Sequence, residues 1–363
     1  MRSWFEKEWK RLGGGALIFL PLTLVFAIAV AVRRALFRWR VLPSWRARVP
    51  VVVVGNITVG GTGKTPLVIA IVELLRRKGF APGVVARGYG RVPRREQDPL
   101  GVVRVYPELA TPEHFGDEPV LISRRAEVPV FVSPDRAAAA RSLLEVHPEV
   151  DVVVSDDGLQ HYGLARDVEI AVIDGERLHG NGLMLPSGPL REPVSRLKSV
   201  DGIVINVGSA GAIADRAPGI RPPQQVGDPR RFAMRLGNER FVALAGGEER
   251  APADFALATR GRAVAAVAGI GNPARFHDHL ERLGVHARRH DFPDHHPYQA
   301  ADLKLRGADV VVMTEKDAVK CAAFADGRMW YLRVEAILPP EFDEFLLARL
   351  AQARRRGDGP QAA

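Results

Sequence analysis

Thr58-Val59-Gly60-Gly61-Thr62-Gly63-Lys64-Thr65 carries the densest chemistry in the chain. An apolar run, Val51 to Val54, precedes it, and a helical pattern, Pro66 to Arg77, follows it. In such a strand–loop–helix setting, backbone N–H groups curl around phosphate oxygens, and glycines let the chain come that close. The helix dipole adds partial positive charge at the same place. Lys64 is placed to reach the outer phosphates of a nucleotide, and the Thr65 hydroxyl to hold Mg²⁺. The motif departs from Gly-x-x-x-x-Gly-Lys-Ser/Thr only at its first position, which is Thr58. A glycine-rich turn without chemistry has a similar composition, but it does not require Lys-Thr at a helix start.

Other polar clusters sit where strands end. Asp156-Asp157-Gly158-Leu159-Gln160-His161 follows Val152-Val153-Val154. Acidic residues there form the second half of a nucleotide site, with one carboxylate on Mg²⁺ directly or through water. Gly116-Asp117-Glu118-Pro119 opens a helix, and taken alone its carboxylates read as caps. Phe292-Pro293-Asp294-His295-His296-Pro297-Tyr298 is a polar loop; its paired histidines, with no nearby cysteine or further ligand spacing, do not make a zinc site. Thr314-Glu315-Lys316-Asp317 follows Val310–Met313, and Lys316 reads as a phosphate contact or a solvated charge.

The elements that position these clusters alternate. Strands are expected at Val51–Gly55, Gly83–Ala86, Val102–Tyr106, Val128–Val132, Asp151–Ser155, Glu169–Ile173 and Gly202–Asn206. Helices are expected at Thr65–Lys78, Glu118–Ala126, Asp135–Val146 and Leu190–Leu197. Valine-rich runs between helices indicate a mostly parallel sheet covered on both faces, a P-loop NTPase-like α/β fold. A second, smaller α/β unit is expected from strands near Phe241–Ala245, Arg262–Ala268, Val310–Met313 and Trp330–Val334. Its helices are expected near Ala274–Leu283, Gln299–Arg306 and Glu341–Arg354. The expected organisation is an anchor over 1–48, a nucleotide-binding domain over 49–209, a linker over 210–228, a C-terminal α/β domain closing the cleft over 229–354, and a disordered tail over 355–363.

Gly13 to Val32 is free of charge over about twenty residues, enough for a helix to cross a bilayer core. Arg2, Lys7, Lys10 and Arg11 precede it, and Arg33, Arg34, Arg38, Arg40, Arg46 and Arg48 follow. Trp4, Phe5, Trp9, Phe37, Trp39 and Trp45 lie in the flanks. The arginine-rich exit lacks a signal-peptide cleavage site. The segment either spans once or lies in one leaflet as a hairpin broken near Pro21, and basic flanks at both ends favour the second. A buried core helix is the plainer alternative. The net charge of +9 fits an anionic lipid surface. No nucleic-acid module is evident, nor an obligate protein partner. One cysteine, Cys321, excludes an intrachain disulfide and suits a reducing compartment.

Taken in order, Asn56 to Pro66, Arg87-Gly88-Tyr89-Gly90-Arg91, Gly116 to Pro119, Asp156 to His161, Gly188-Pro189-Leu190-Arg191-Glu192-Pro193, Phe292 to His295 and Thr314 to Lys320 resemble the tetraacyldisaccharide 4'-kinase family. The resemblance runs from the apolar segment to near Leu350. Leu159 departs from it, standing where the family commonly has Phe. The resemblance implies transfer of the γ-phosphate of ATP to the 4'-hydroxyl of a lipid A disaccharide precursor, at the cytoplasmic face of the bacterial inner membrane. It implies that Asp117 accepts the hydroxyl proton, paired with His295 on motif position and with His296 as an outside candidate, and that residues 58–65 with Lys64 cradle the phosphates. Mg²⁺ would sit on Thr65 with help from Glu118, Asp157 or Gln160. A membrane-anchored ATPase switch shares the loop and the anchor, but has no need of an acid and histidine aimed at an acceptor hydroxyl.

Overall fold

The computed structural model describes residues 9, 13–89, 101–107, 110–208 and 229–357. The expected linker 210–228, Gly90 and Arg91, the flank before 13 other than Trp9, and the tail from 358 lie outside the described residues. The chain forms α1 (Gly14–Ile18), α2 (Leu20–Arg38), β1 (Val51–Gly55), α3 (Lys64–Arg77), β2 (Pro82–Ala86), β3 (Val103–Val105), α4 (Pro112–Phe115), α5 (Asp117–Ala126), β4 (Val130–Val132), α6 (Arg136–Val146), β5 (Val152–Asp156), β6 (Val168–Asp174) and β7 (Gly202–Gly208). It continues through β8 (Arg230–Ala243), β9 (Glu249–Arg250), α7 (Pro252–Ala258), β10 (Val264–Ala268), α8 (Pro273–Arg282), β11 (Arg288–Asp291), β12 (Val310–Thr314), α9 (Glu315–Cys321), β13 (Met329–Ile337) and α10 (Pro340–Gly357).

The strands share one 13-stranded sheet, in the order β11-β10-β12-β13-β8-β7-β6-β1-β5-β2-β4-β3, with β9 on β8. β1 lies between β5 and β6, both parallel to it. Its side chains alternate between two cores. Val52 and Val54 join Leu67, Val68 and Ile71 of α3 on one face. Val51 and Val53 join Leu143, Val153 and Ile203 on the other. That two-sided burial explains an unbroken valine run in place of an alternating pattern. β8 is the seam between the halves: its start pairs parallel with β7, and its end pairs antiparallel with β13. The second α/β unit thus extends the first sheet. α10 returns to the first half, where Phe342 and Phe345 each approach the Phe232 ring at 5.2 Å.

Local chemistry fixes the element ends. Gly63 takes φ 90 immediately before α3, and an added Cβ would meet Asn206 Nδ2 at 2.2 Å, so glycine is required. Asp135 caps α6 by accepting from the Ala137 and Ala138 amides at 2.9 and 3.3 Å.

Two expected helices do not form. Leu190–Leu197 is interrupted by Pro193; Leu190 instead bridges Thr58 and Met184, and a 3-10 turn spans Val194–Ser199. Gln299–Arg306 is a series of turns, in which Asp302 Oδ2 accepts from the Gln299 amide at 2.9 Å. β11 escaped sequence reading because Arg288–Asp291 is polar; it is an exposed sheet edge.

The apolar segment breaks at Phe19, and Pro21 falls in the first turn of α2, where a missing N–H costs little. α2 has mean hydropathy 1.9 and is almost wholly unburied. One stripe docks on the body: Thr23 on Ser187 at 2.8 Å, then Phe26, Ala27 and Val30 on the core. Further along, Arg34 approaches Glu192, and the Phe37 ring lies 5.7 Å from Tyr162. Leu20, Leu22, Leu24, Val25, Ile28 and Val32 stay exposed.

Phe342 is fully buried in the first-half core although it comes from the chain's end. Phe342→Ala should cost about 3–5 kcal/mol, read as a fall in the thermal midpoint of the detergent-solubilised protein. A fall no larger than that of the surface change Glu341→Ala would contradict this packing of α10.

Candidate active site

A cleft of 660 Å³ runs along the strand ends, lined on one side by Val59 to Pro66 and on the other by residues of α8, the 294–295 loop and the start of α9. The two sides nearly touch: an added Cβ on Gly271 would meet the Gly61 amide nitrogen at 2.9 Å.

The loop is held from below and beside. Asn56, buried at the end of β1, directs Nδ2 toward Thr62 Oγ1 at 3.3 Å and takes Lys64 Nζ on Oδ1 at 3.3 Å. Asn206 of β7 donates to Thr62 O at 3.0 Å and accepts from Arg275 of α8 at 3.0 Å. Asp174 of β6 pairs with Arg177 and Arg275, and Arg177 donates to Gly61 O. Lys64 Nζ also stands 3.4 Å from Asp157 Oδ1.

Asp156 ends β5 beside the loop, and Asp157 follows it in a turn. Asp157 has φ 48, a strained conformation for a non-glycine residue. Burial pushes its pKa up, but Lys64 and Arg191 prevail and hold it below the usual carboxylate range. Asp156 is 2% exposed, and burial, with the nearby charges of Glu118 and Asp157, pushes its pKa up to about 7. Its Oδ1 has no hydrogen-bond partner among the described residues. Arg136 backs this turn, donating to Asp156 O and Asp157 O at 3.4 Å.

Opposite the loop, Gly116 takes φ 88, and an added Cβ would meet Tyr89 O at 2.9 Å, so α5 can start only against the 88–89 backbone. This seats Asp117 at the first helical position, 4% exposed. His295 Nδ1 lies 2.9 Å from Asp117 Oδ2. His295 has φ 61, and its ring centroid is 4.9 Å from that of Tyr89. Lys316 Nζ reaches Glu118 at 2.9 Å and Asp117 and Asp294 at 3.7 Å. Burial opposes the lysine's charge, but these carboxylates raise its pKa. Burial likewise opposes ionisation of Asp117, yet the His295 hydrogen bond and Lys316 lower its pKa to about 2. Asp117 is therefore ionised at neutral pH. Its stabilising contribution is present above the unfolded value of about 4 and is lost as pH falls through about 2.

Most residues singled out in the sequence meet in this cleft: Val59 to Thr65, Lys64, Asp117, Glu118, Asp157 and His295 all line it. Two do not. Thr58 bridges Leu190, outside the lining. Gln160 is also outside it, its Nε2 donating to Asn56 O and Glu192 Oε2 at 2.9 Å each. His296 turns away to Asp302 at 3.1 Å. Asn206, Asp174 and Arg275 were missed. The first two had a signal, as polar residues ending buried strands, whereas Arg275 had none. Among the described residues no group of three or more His, Cys, Asp or Glu forms a metal cage.

Residues 15–351 match the family model described as tetraacyldisaccharide-1-P 4'-kinase. The chain is 43% identical over 353 residues to the tetraacyldisaccharide 4'-kinase of Methylobacillus flagellatus, covering 96% of each. It is 46% identical over 348 residues to that of Azoarcus sp., covering 95% of each. Among solved structures it resembles LpxK from Aquifex aeolicus, described in complex with ATP, with a TM-score of 0.73 and 25% identity over 92% of this chain and 99% of that one. The chain belongs to the tetraacyldisaccharide 4'-kinase family.

Proposed function

We propose that the chain transfers the γ-phosphate of ATP to the 4'-hydroxyl of tetraacyldisaccharide 1-phosphate, forming lipid IVA in lipid A biosynthesis. The observation that carries this reading is the 2.9 Å approach of His295 to Asp117 across a cleft floored by a phosphate loop. A switch ATPase has no use for that pair.

The loop amides and Lys64 cradle the β- and γ-phosphates. The cleft lining includes the apolar side chains Leu236, Ile270, Phe276, Leu332 and Val334, which suit a purine base. Mg²⁺ fits the residues present, because Asp156 brings a buried, unpartnered carboxylate oxygen to the cleft that Thr65 and Glu118 also line. These three would hold the ion, with Asp157 near them, and the ion would neutralise charge on the phosphates. Gln160 acts from below the loop.

Phosphoryl transfer depends on positioning and charge neutralisation. The 4'-oxygen bonds to γ-phosphorus, the bond to the β-phosphate oxygen breaks, and ADP leaves. The hydroxyl proton passes to Asp117. A carboxylate with so low a pKa is a weak base, but in a loose transition state the proton leaves late, so placement counts most. His295 orients the carboxylate, and Lys316 keeps it charged.

The lipid stays in the bilayer, since each buried methylene is worth roughly 0.8 kcal/mol. The exposed stripe of α2, flanked by exposed Arg33, Arg38 and Arg40, suits an anionic membrane surface. Because the opposite stripe docks on the body, we read α2 as lying along one leaflet at the cytoplasmic face of the inner membrane. Residues 49–209 and 229–354 act as nucleotide and closing lobes, the second supplying His295 and Lys316.

Lys64→Ala should keep the circular-dichroism spectrum and lower label transfer from γ-labelled ATP at least ~100-fold, since the phosphates lose their nearest cation. Near-normal transfer in the folded variant would end the phosphate-loop reading.

Asp117→Asn and His295→Ala should each lower kcat strongly with little change in ATP affinity. If the two act as one unit, the double variant is scarcely worse than the poorer single one. Multiplied losses, or weakened ATP binding in Asp117→Asn, would assign them separate roles.

A further inference from the structure

The segment from Asn181 to Glu192 touches the phosphate loop on one side and α2 on the other. Toward the loop, Val59 N donates to Pro189 O at 2.9 Å and Arg191 N to Ile57 O at 2.7 Å. Toward the helix, Ser187 holds Thr23, with the Ser187 amide donating to Thr23 Oγ1 at 3.1 Å. Asn181 N donates to Trp9 O at 2.8 Å, ahead of the helix.

Glu192 closes this segment, 1% exposed. Its carboxylate accepts from Gln160 Nε2 at 2.9 Å and from the Tyr162 hydroxyl. Arg34 of α2 stands 3.6 Å away and Arg196 3.8 Å away. Tyr162 is packed by Phe37 of the same helix. Gln160 passes the contact on to Asn56 O, and Asn56 Oδ1 takes Lys64 Nζ. An unbroken series of polar contacts therefore runs from the apolar helix to the lysine of the nucleotide site. A helix serving only as a tether needs no arginine aimed at a buried carboxylate one residue from the cleft residue Arg191.

We propose that Arg34, Glu192 and Gln160 are positioning residues that couple seating of α2 on a lipid surface to the nucleotide-binding form of the phosphate loop. With α2 docked, Glu192 has its second cation and Tyr162 its ring partner, and Gln160 is held under Asn56. With α2 lifted away, those contacts are lost, and the 184–192 segment loses its fixed hold on the loop. A bilayer stabilises the docked arrangement by accepting the apolar stripe on the helix's far side, and a nucleotide stabilises it from the cleft. Two ligands favouring one arrangement must strengthen each other's binding by the same factor. The inference rests on the nucleotide reading above.

The test uses the full chain with vesicles of phosphatidylethanolamine and phosphatidylglycerol and a non-hydrolysable ATP analogue with Mg²⁺. Vesicle affinity is measured by sedimentation with and without the analogue, and analogue affinity by calorimetry with and without vesicles. In the wild type each ligand should tighten the other by about 5-fold, the low end of usual coupling. In Arg34→Ala that ratio should fall to near one, and Arg34→Lys should restore most of it. Losing one surface charge shifts vesicle binding in both arms alike, so the ratio reports coupling alone. If the wild type binds the analogue and vesicles but neither affects the other, or if Arg34→Ala keeps the full ratio, the inference is overturned. If the wild type binds no analogue at all, the nucleotide reading fails first and this one with it.

Discussion

The contact between His295 Nδ1 and Asp117 Oδ2 joins side chains 178 positions apart, and most of the architecture serves to place them. Asp117 begins a helix whose start is pinned against the backbone of residues 88–89 by Gly116. His295 leaves the other half of the sheet in a left-handed conformation. β8 pairs with β7 on one side and β13 on the other and so joins the two α/β units that carry them in one sheet. Buried Asp317 helps fix the histidine's loop: it accepts from the Gly269 amide at 2.9 Å, and Gly269 O accepts from His295 N at 3.3 Å. Lys316, next in the chain, offsets the negative charge that buried Asp117 and half-buried Glu118 and Asp294 bring together.

The phosphate loop follows the same logic with other groups. Its lysine is 9% exposed and already shared between Asn56 and Asp157, so it is held near where phosphate oxygens would sit. Asn206, Arg275, Asp174 and Arg177 lock the loop's carbonyls from the neighbouring strands and from α8. Left-handed backbone at Asp157 and His295 places strain on both sides of the cleft, where the surroundings hold each residue in place.

The sequence was legible where residue type leaves little choice. Val51 to Val54 had to be a strand buried on both faces, and Gly63-Lys64-Thr65 had to open a helix. The family resemblance implied a pair of Asp117 and His295, which the residues alone did not reveal, and the two side chains meet in space. It failed where long-range contacts decide. Leu190 follows a proline and pairs with Thr58, which no local pattern reveals. Gln160 stands in a motif beside two aspartates, yet its amide faces Asn56 and Glu192 beneath the loop. Asp157 drew attention as the metal carboxylate, whereas the unpartnered buried oxygen belongs to Asp156. That distinction depends on which carboxylate Lys64 and Arg191 already occupy. Arg275 reaches the loop only because β8 folds the second unit back along the first.

Phosphorus NMR of the lipid product tests the central claim most directly. Full-length protein in detergent is given ATP, Mg²⁺ and tetraacyldisaccharide 1-phosphate, and the product spectrum is read beside the ADP formed. The account predicts one new phosphomonoester on the 4'-oxygen for each ADP released, with little ADP formed when the lipid is left out. ADP released at the same rate with or without lipid, and no second phosphorus signal on the disaccharide, would contradict it.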